Sequence, residues 1–180
     1  MAGERSVCNF DEDSMTMAVE SAIDCLTGTD SKTIDGLFFA TTTATYKERL
    51  SASILASVLD MRRDIRTLDI TDTLRAGTSA VATAIDTVNA GPATSILVTC
   101  SEQRMAAPAG DFEMALGDGA AALLIGDKNV IATIEGSYHI SDEFSGVWRL
   151  CPLAPNVTRN ILQILGWRKD GGGKERLQFR

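Results

Sequence analysis

Three apolar runs of strand length, separated by segments of helical period, constrain this chain more than any other feature. The runs are IDGLFFA (34–40), IRTLDI (65–70) and TSILVTC (94–100). Ahead of them Met15, Ala18, Val19, Ala22, Ile23 and Leu26 recur at helix spacing behind Asp11, Glu12 and Asp13, whose charges suit the positive end of a helix. A second helix is predicted on Leu50, Ile54, Leu55, Val58 and Leu59. A third is predicted on Ala80, Val81, Ala84, Ile85 and Val88, stopped by Ala90, Gly91 and Pro92. Near-continuous apolar strands alternating with helices are those of a parallel sheet buried on both faces, so the fold class is α/β. Two further runs, GAAALLIG (119–126) and VIATIEGSYHI (130–140), are joined only by Asp127, Lys128 and Asn129. They predict a hairpin, and therefore an antiparallel end to a mixed sheet.

A chain of 180 residues with 44% hydrophobic composition is sufficient for one domain with a sizeable core. We place it at residues 1–149. Residues 150–180 read as a basic tail, flexible or incidental, in which Ile161, Leu162, Ile164 and Leu165 make a helical turn or two before three glycines and a disordered end. The tail holds 6 of the 17 Lys/Arg and 2 of the 24 Asp/Glu, so the body before it is strongly acidic. An acidic body excludes nucleic acid as a partner, because phosphate binding needs a basic face. No run approaches the roughly 18 to 20 apolar residues of a membrane helix, and MAGERSVCNFDED contains no apolar signal core, so the expected location is cytoplasmic. Cys8, Cys25, Cys100 and Cys151 form no CxxC pair and have a single histidine, His139, to join them, which argues against a metal site or a disulfide framework.

The stretch DITDTLRAGTSA (69–80) has the form of a strand running through a turn into a small-residue helix. Such a junction presents one side chain to a helix N-terminus, where the macrodipole favours a thiolate. The residues presented are Leu74 and Arg75, and neither can attack a carbonyl. Arg75 reads either as an anion contact or as a local partner of Asp72 or Asp69. Thr73, Thr78 and Ser79 read as caps, since no base accompanies them. Gly117 and Gly119 flank Asp118 in a tight turn without phosphate-loop spacing, with Asp118 as a turn hydrogen-bonder. Thr41, Thr42 and Thr43 end a strand where α/β proteins bind ligands, and read either as pocket-lining residues or as strand-end hydroxyls satisfying backbone groups, while Cys100 reads as core.

In this order GERSVCNFDEDSMTMAVESAIDCL, IDGLFFATTTATYKERLSASILASVLDM, RTLDITDTLRAGTSAVATAIDTVNAG, SILVTCSE and LGDGAAALLIGD resemble the N-terminal half of a thiolase-superfamily condensing enzyme. The likeness is nearest to 3-hydroxy-3-methylglutaryl-CoA synthase, then to ketoacyl-ACP synthase III, over residues 3 to 149. It implies a layered fold, one βαβαβαββ half of two, with helices on both faces of a mixed sheet. It also implies that the first strand, central in the sheet, and the second half are missing, so that the sequence is truncated.

The resemblance places the family's nucleophilic cysteine at Leu74 or Arg75 and its acid/base glutamate at Thr42, while the catalytic histidine belongs to the other half. No catalytic residue is therefore assigned. Thr42, Thr43, Arg75 and Asp118 are the expected substrate-binding residues, and Gly77, Gly117 and Gly119 the structural loop positions. No cofactor or metal is expected, and an acyl-CoA is the implied ligand. Implied partners are a second copy, a thiolase-type subunit, or a zinc-ribbon/OB-fold acyl-CoA-binding protein. The implied role is that of a noncatalytic subunit or fragment. The alternative is an acyltransferase or condensing enzyme of acyl-CoA thioesters, active when a partner completes it.

Overall fold

The computed structural model describes residues 4–142, apart from Asp72, Ala107, Pro108 and Asp111, together with the strand residues 167–169 and 175–177. The chain divides into two compact units, Met1–Thr133 and Ile134–Arg180. In the first unit the order is α1 (Ser14–Cys25), β1 (Gly36–Ala40), α2 (Ser51–Val58), β2 (Arg66–Ile70), α3 (Ala76–Asn89), β3 (Ser95–Glu102) and β4 (Gly119–Gly126). In the second, β5 (Trp167–Lys169) and β6 (Glu175–Leu177) form a two-stranded antiparallel ladder. The end predicted to be disordered thus holds regular backbone pairing. The helical turn predicted at 161–165 lies outside the described residues.

The sheet order is β2-β1-β3-β4, with β1 parallel to both β2 and β3 and β4 antiparallel to β3. Alternation along β1 sends Leu37 and Phe39 to one face and Phe38 and Ala40 to the other. The first pair joins Leu97, Met15, Ala18, Ala22, Ala52 and Leu55 under α1 and α2, and the second joins Ile96, Val98, Ala76, Ala80 and Ala84 under α3. Every residue of β1 is buried, as expected for the middle of a two-faced sheet.

Helix ends follow local chemistry. Asp13 caps α1, accepting from Met15 N and Thr16 N, while Thr16 Oγ1 accepts from the Asp13 amide, so three amide groups are satisfied at once. The N-cap of α2, Leu50, has no side-chain bond to offer. Asp69 of β2 caps it instead, accepting from Ser51 N at 2.6 Å and Ala52 N at 2.7 Å. Gly91, at φ +88, ends α3 in the left-handed region that glycine adopts without strain.

Three expectations are corrected. The resemblance puts a missing strand in the middle of the sheet, whereas β1 and β3 pair directly from Gly36 with Ile96 to Ala40 with Cys100, leaving no gap between them. The predicted hairpin of 119–126 with 130–140 does not form. Its first run pairs with β3, and 130–140 carries no regular structure, because past the left-handed Asn129 the chain leaves the sheet and Val130 and Ile131 stand exposed. The buried face of α2 is Ser51, Ala52, Leu55 and Ala56, so Leu50 and Val58 are exposed where the periodicity put them inward.

Candidate functional site at the carboxyl edge of the sheet

The parallel strands β1, β2 and β3 end side by side, and the segments that follow them carry most of the polar side chains of interest. At the end of β3 the carboxylate of Glu102 reaches across to the threonines that follow β1. It accepts from Thr42 N at 2.7 Å, from Thr42 Oγ1 at 2.8 Å and from Thr43 Oγ1 at 3.2 Å. Thr42 Oγ1 in turn accepts from Arg104 Nη1 at 3.1 Å, and Thr43 Oγ1 accepts from Gln103 N at 3.0 Å. Thr43 N donates to Thr41 Oγ1, and its carbonyl accepts from Ser14 Oγ at the start of α1. One carboxylate thus ties the ends of β1 and β3 together and holds a guanidinium beside the Thr42 hydroxyl. Charge-assisted bonds of this kind are stronger than neutral ones.

Asp118, just before β4, adjoins this cluster. Its Oδ1 accepts from Arg104 N at 2.7 Å and its Oδ2 from Cys8 N at 3.0 Å, while its own amide donates to Ser6 O. It is therefore a long-range tie between the N-terminal arm and the loop after β3, a role unlike the local turn bond expected from sequence. Burial raises its pKa, but the Cys8 and Arg104 amides more than offset this and hold the carboxyl below the ordinary aspartate value of 3.8. A folded-state pKa below the unfolded one gives stabilisation that is present above the unfolded value and fades as pH falls through the folded one. Asp118→Asn is accordingly expected to lower the urea midpoint at pH 7, with the deficit shrinking as the pH falls below the ordinary aspartate value of 3.8. Urea titrations at pH 7 and below that value check this, and an equal deficit at both would contradict it.

Neither Gly117 nor Gly119 adopts a left-handed backbone. Gly117 is explained by close approach, since a Cβ would sit 3.2 Å from Ser6 O, whereas at Gly119 a Cβ would meet nothing. Gly77, in the first turn of α3, faces the side chain of Cys100, where a Cβ would lie 3.3 Å from Sγ. Burial, and then the charge of Glu102, raise the Cys100 thiol above its ordinary value, so at neutral pH it stays protonated and unreactive.

Leu74 and Arg75 enter α3. Arg75 is its N-cap, with no side-chain cap bond, and the Leu74 side chain is 79% exposed. The hydroxyls expected to cap the helix bond back into the turn: Thr78 Oγ1 donates to Arg75 O, and Thr73 Oγ1 accepts from Arg75 N at 3.3 Å. Of the two carboxylates weighed as partners of Arg75, Asp69 is the cap of α2 and Asp72 lies outside the described residues. His139 falls in the second unit, in a segment without regular structure, and is not at the end of a strand.

Thr42 and Thr43 are therefore brought into direct contact with Glu102, and Thr42 with Arg104, while Asp118 joins through the backbone. Glu102 and Arg104 were missed from sequence. The available signal was the polar triplet Glu102, Gln103, Arg104 at the end of an apolar strand, but nothing in it shows which neighbour they meet. A separate cleft between α2 and β2, lined by Ser53, Ser57, Asp60, Arg62, Arg63 and Thr67 among others, contains none of the predicted residues. Its Arg62 is engaged by Asp35 at 2.8 Å and Asp64 at 3.3 Å. Among the described residues no cluster of His, Cys, Asp or Glu is suited to a metal ion, and no helix is long and apolar enough to cross a membrane.

This mixed α/β sheet with helices on both faces has the fold of solved thiolase-like structures. MvaS in complex with 3-hydroxy-3-methylglutaryl coenzyme A aligns with a TM-score of 0.63 at 26% identity, covering 69% of this chain and 31% of that one. The priming β-ketosynthase of the R1128 polyketide pathway aligns at 0.65 and 24% identity, covering 70% and 39%, and shares the fold. In sequence, the hydroxymethylglutaryl-CoA synthases of Thermococcus onnurineus and Methanopyrus kandleri are each 29% identical, over 150 and 151 residues and over 81% and 83% of this chain. The chain is thus thiolase-like in fold and similar in sequence to hydroxymethylglutaryl-CoA synthases, the likeness falling on their N-terminal half. It spans 43% of the length of these two relatives. No family model matches it.

Proposed function

We propose that this chain is a noncatalytic, hydroxymethylglutaryl-CoA synthase-like subunit that binds an acyl-CoA thioester at the carboxyl edge of its sheet without becoming acylated. The observation that carries this reading is the entry to α3. The position that would present a thiolate to the helix N-terminus holds Leu74 and Arg75, and the thiol facing that turn, Cys100, belongs to β3 and is held protonated. Arg104, with Arg75 across the same edge, supplies guanidinium donors suited to a thioester carbonyl and to phosphate, and Thr42 and Thr43, whose hydroxyls donate to Glu102, line that edge beside Arg104. Glu102 keeps Thr42, Thr43 and, through Thr42, Arg104 in place. Its partner in this reading is a thiolase-type subunit that supplies the chemistry.

Native mass spectrometry with acetyl-CoA and acetoacetyl-CoA tests both parts. Noncovalent adducts of intact CoA ester, with the denatured mass unchanged, are the expected result. A covalent gain of one acetyl group in the denatured spectrum overturns the noncatalytic part. Absence of any adduct, with the chain folded by circular dichroism, overturns the binding part.

A further inference from the structure

Small side chains on one stripe of α2 open a cleft that shares no residue with the carboxyl edge. Ser53, Ala56 and Ser57 fall three and four residues apart, so they lie on one side of the helix. With so little bulk there, α2 stands clear of the amino half of β2 and the turn that leads into it, leaving about 330 Å³. Met61, which is buried, and Ile65 supply its apolar part, while Ser53 Oγ and Thr67 Oγ1 bond each other at 3.2 Å from helix to strand. The charges at the cleft are unevenly matched. Asp60 is paired with Lys32 at 2.7 Å, and two nitrogens of Arg62 are taken by Asp35 and Asp64. The third, Nε, is buried and has no acceptor. Arg63 beside it is exposed, and although the body of the chain is strongly acidic, no carboxylate among the described residues takes it up. A buried guanidinium N–H left without an acceptor is costly and uncommon in a folded protein.

We propose that this cleft binds a small phosphate monoester, with its phosphate on Arg63 and Arg62 Nε and its hydroxylated remainder against Ser53, Ser57 and Thr67. A phosphate dianion only accepts hydrogen bonds, and each of these guanidinium and hydroxyl groups can donate. Arginine also matches phosphate in shape, offering two parallel N–H groups to two oxygens. The hydroxyls of Ser53 and Thr67, already bonded to each other, can turn to meet those of the ligand. Seating an oxygen at Arg62 Nε removes the cost of the donor that the fold leaves without a partner. The proposal is independent of acyl-CoA binding at the carboxyl edge.

Isothermal titration calorimetry of the full chain with glycerol 3-phosphate tests it, with inorganic phosphate and acetate as comparison titrants. Glycerol 3-phosphate is expected to bind, inorganic phosphate to bind at least about threefold more weakly for want of the hydroxyl contacts, and acetate to give no heat. Arg63→Gln is expected to raise the dissociation constant of glycerol 3-phosphate at least about tenfold. Arg66→Gln removes the same charge from an arginine that lies over the Phe38 ring instead of in the cleft, and is expected to change it by less than about twofold. Hydrogen exchange on the unmodified chain adds a readout independent of any variant, with amides of 53–67 becoming slower to exchange as glycerol 3-phosphate is added. Absence of heat and of protection up to about 10 mM, with the chain folded by circular dichroism, overturns the proposal. So does an equal loss in the two arginine variants, which would mean unspecific attraction of charge, or acetate binding as tightly as the phosphates.

Discussion

Phe39→Ala is expected to cost about 3–5 kcal/mol, the largest effect of any single replacement considered. Phe39 is fully buried in the second-to-last position of β1, one of the two strands paired on both edges, and it belongs to the cluster that α1 and α2 cover. Truncation removes the transfer energy of the ring and leaves a cavity whose walls are helices and strands, which relax only in part. Against a total of about 5–15 kcal/mol for an ordinary domain, that leaves little margin. Urea unfolding followed by circular dichroism measures it. A loss under about 1 kcal/mol would mean that β1 is not the packed centre of the sheet.

Glu102→Ala is expected to cost about 2–4 kcal/mol, because three donors lose a charged acceptor together. At about 2–4 °C per kcal/mol, the thermal midpoint drops by about 5–15 °C. Glu102→Gln retains one acceptor oxygen but turns an amide N–H₂ towards the threonine hydroxyls, so an intermediate loss is expected. Since Glu102 holds Thr42 and, through it, Arg104, the alanine variant is also expected to weaken acetyl-CoA adducts in native spectra. A midpoint within a degree of the parent would show that the bonds of Thr42 and Thr43 to Glu102 contribute nothing.

The parts of the fold that were legible are those with a strong local signal. Apolar runs marked β1 and β3, small residues at helix spacing marked α3, and the acidic Asp11, Glu12 and Asp13 marked the start of α1. At the site, the threonines after β1 and the leucine and arginine at α3 were legible for the same reason, each being one short segment read by itself. Glu102 was not, because its partners lie 59 and 60 residues away in the chain. The Asp69 cap of α2 was hidden likewise, 17 and 18 residues away. In both cases a carboxylate acts across strands, and nothing local distinguishes it from a solvated charge.

By itself the sequence determined the α/β alternation, the parallel core, and the leucine and arginine at the head of α3, because periodicity and residue chemistry are properties of neighbours along the chain. Only the tertiary structure decided that β1 and β3 lie side by side, that β4 turns back on β3 while residues 130–140 leave the sheet, and that Glu102 gathers the carboxyl edge. Strand order and side-chain partners depend on which surfaces meet once the helices have covered both faces. That is settled by backbone hydrogen bonding and burial across the whole unit, between segments too far apart in sequence to signal one another.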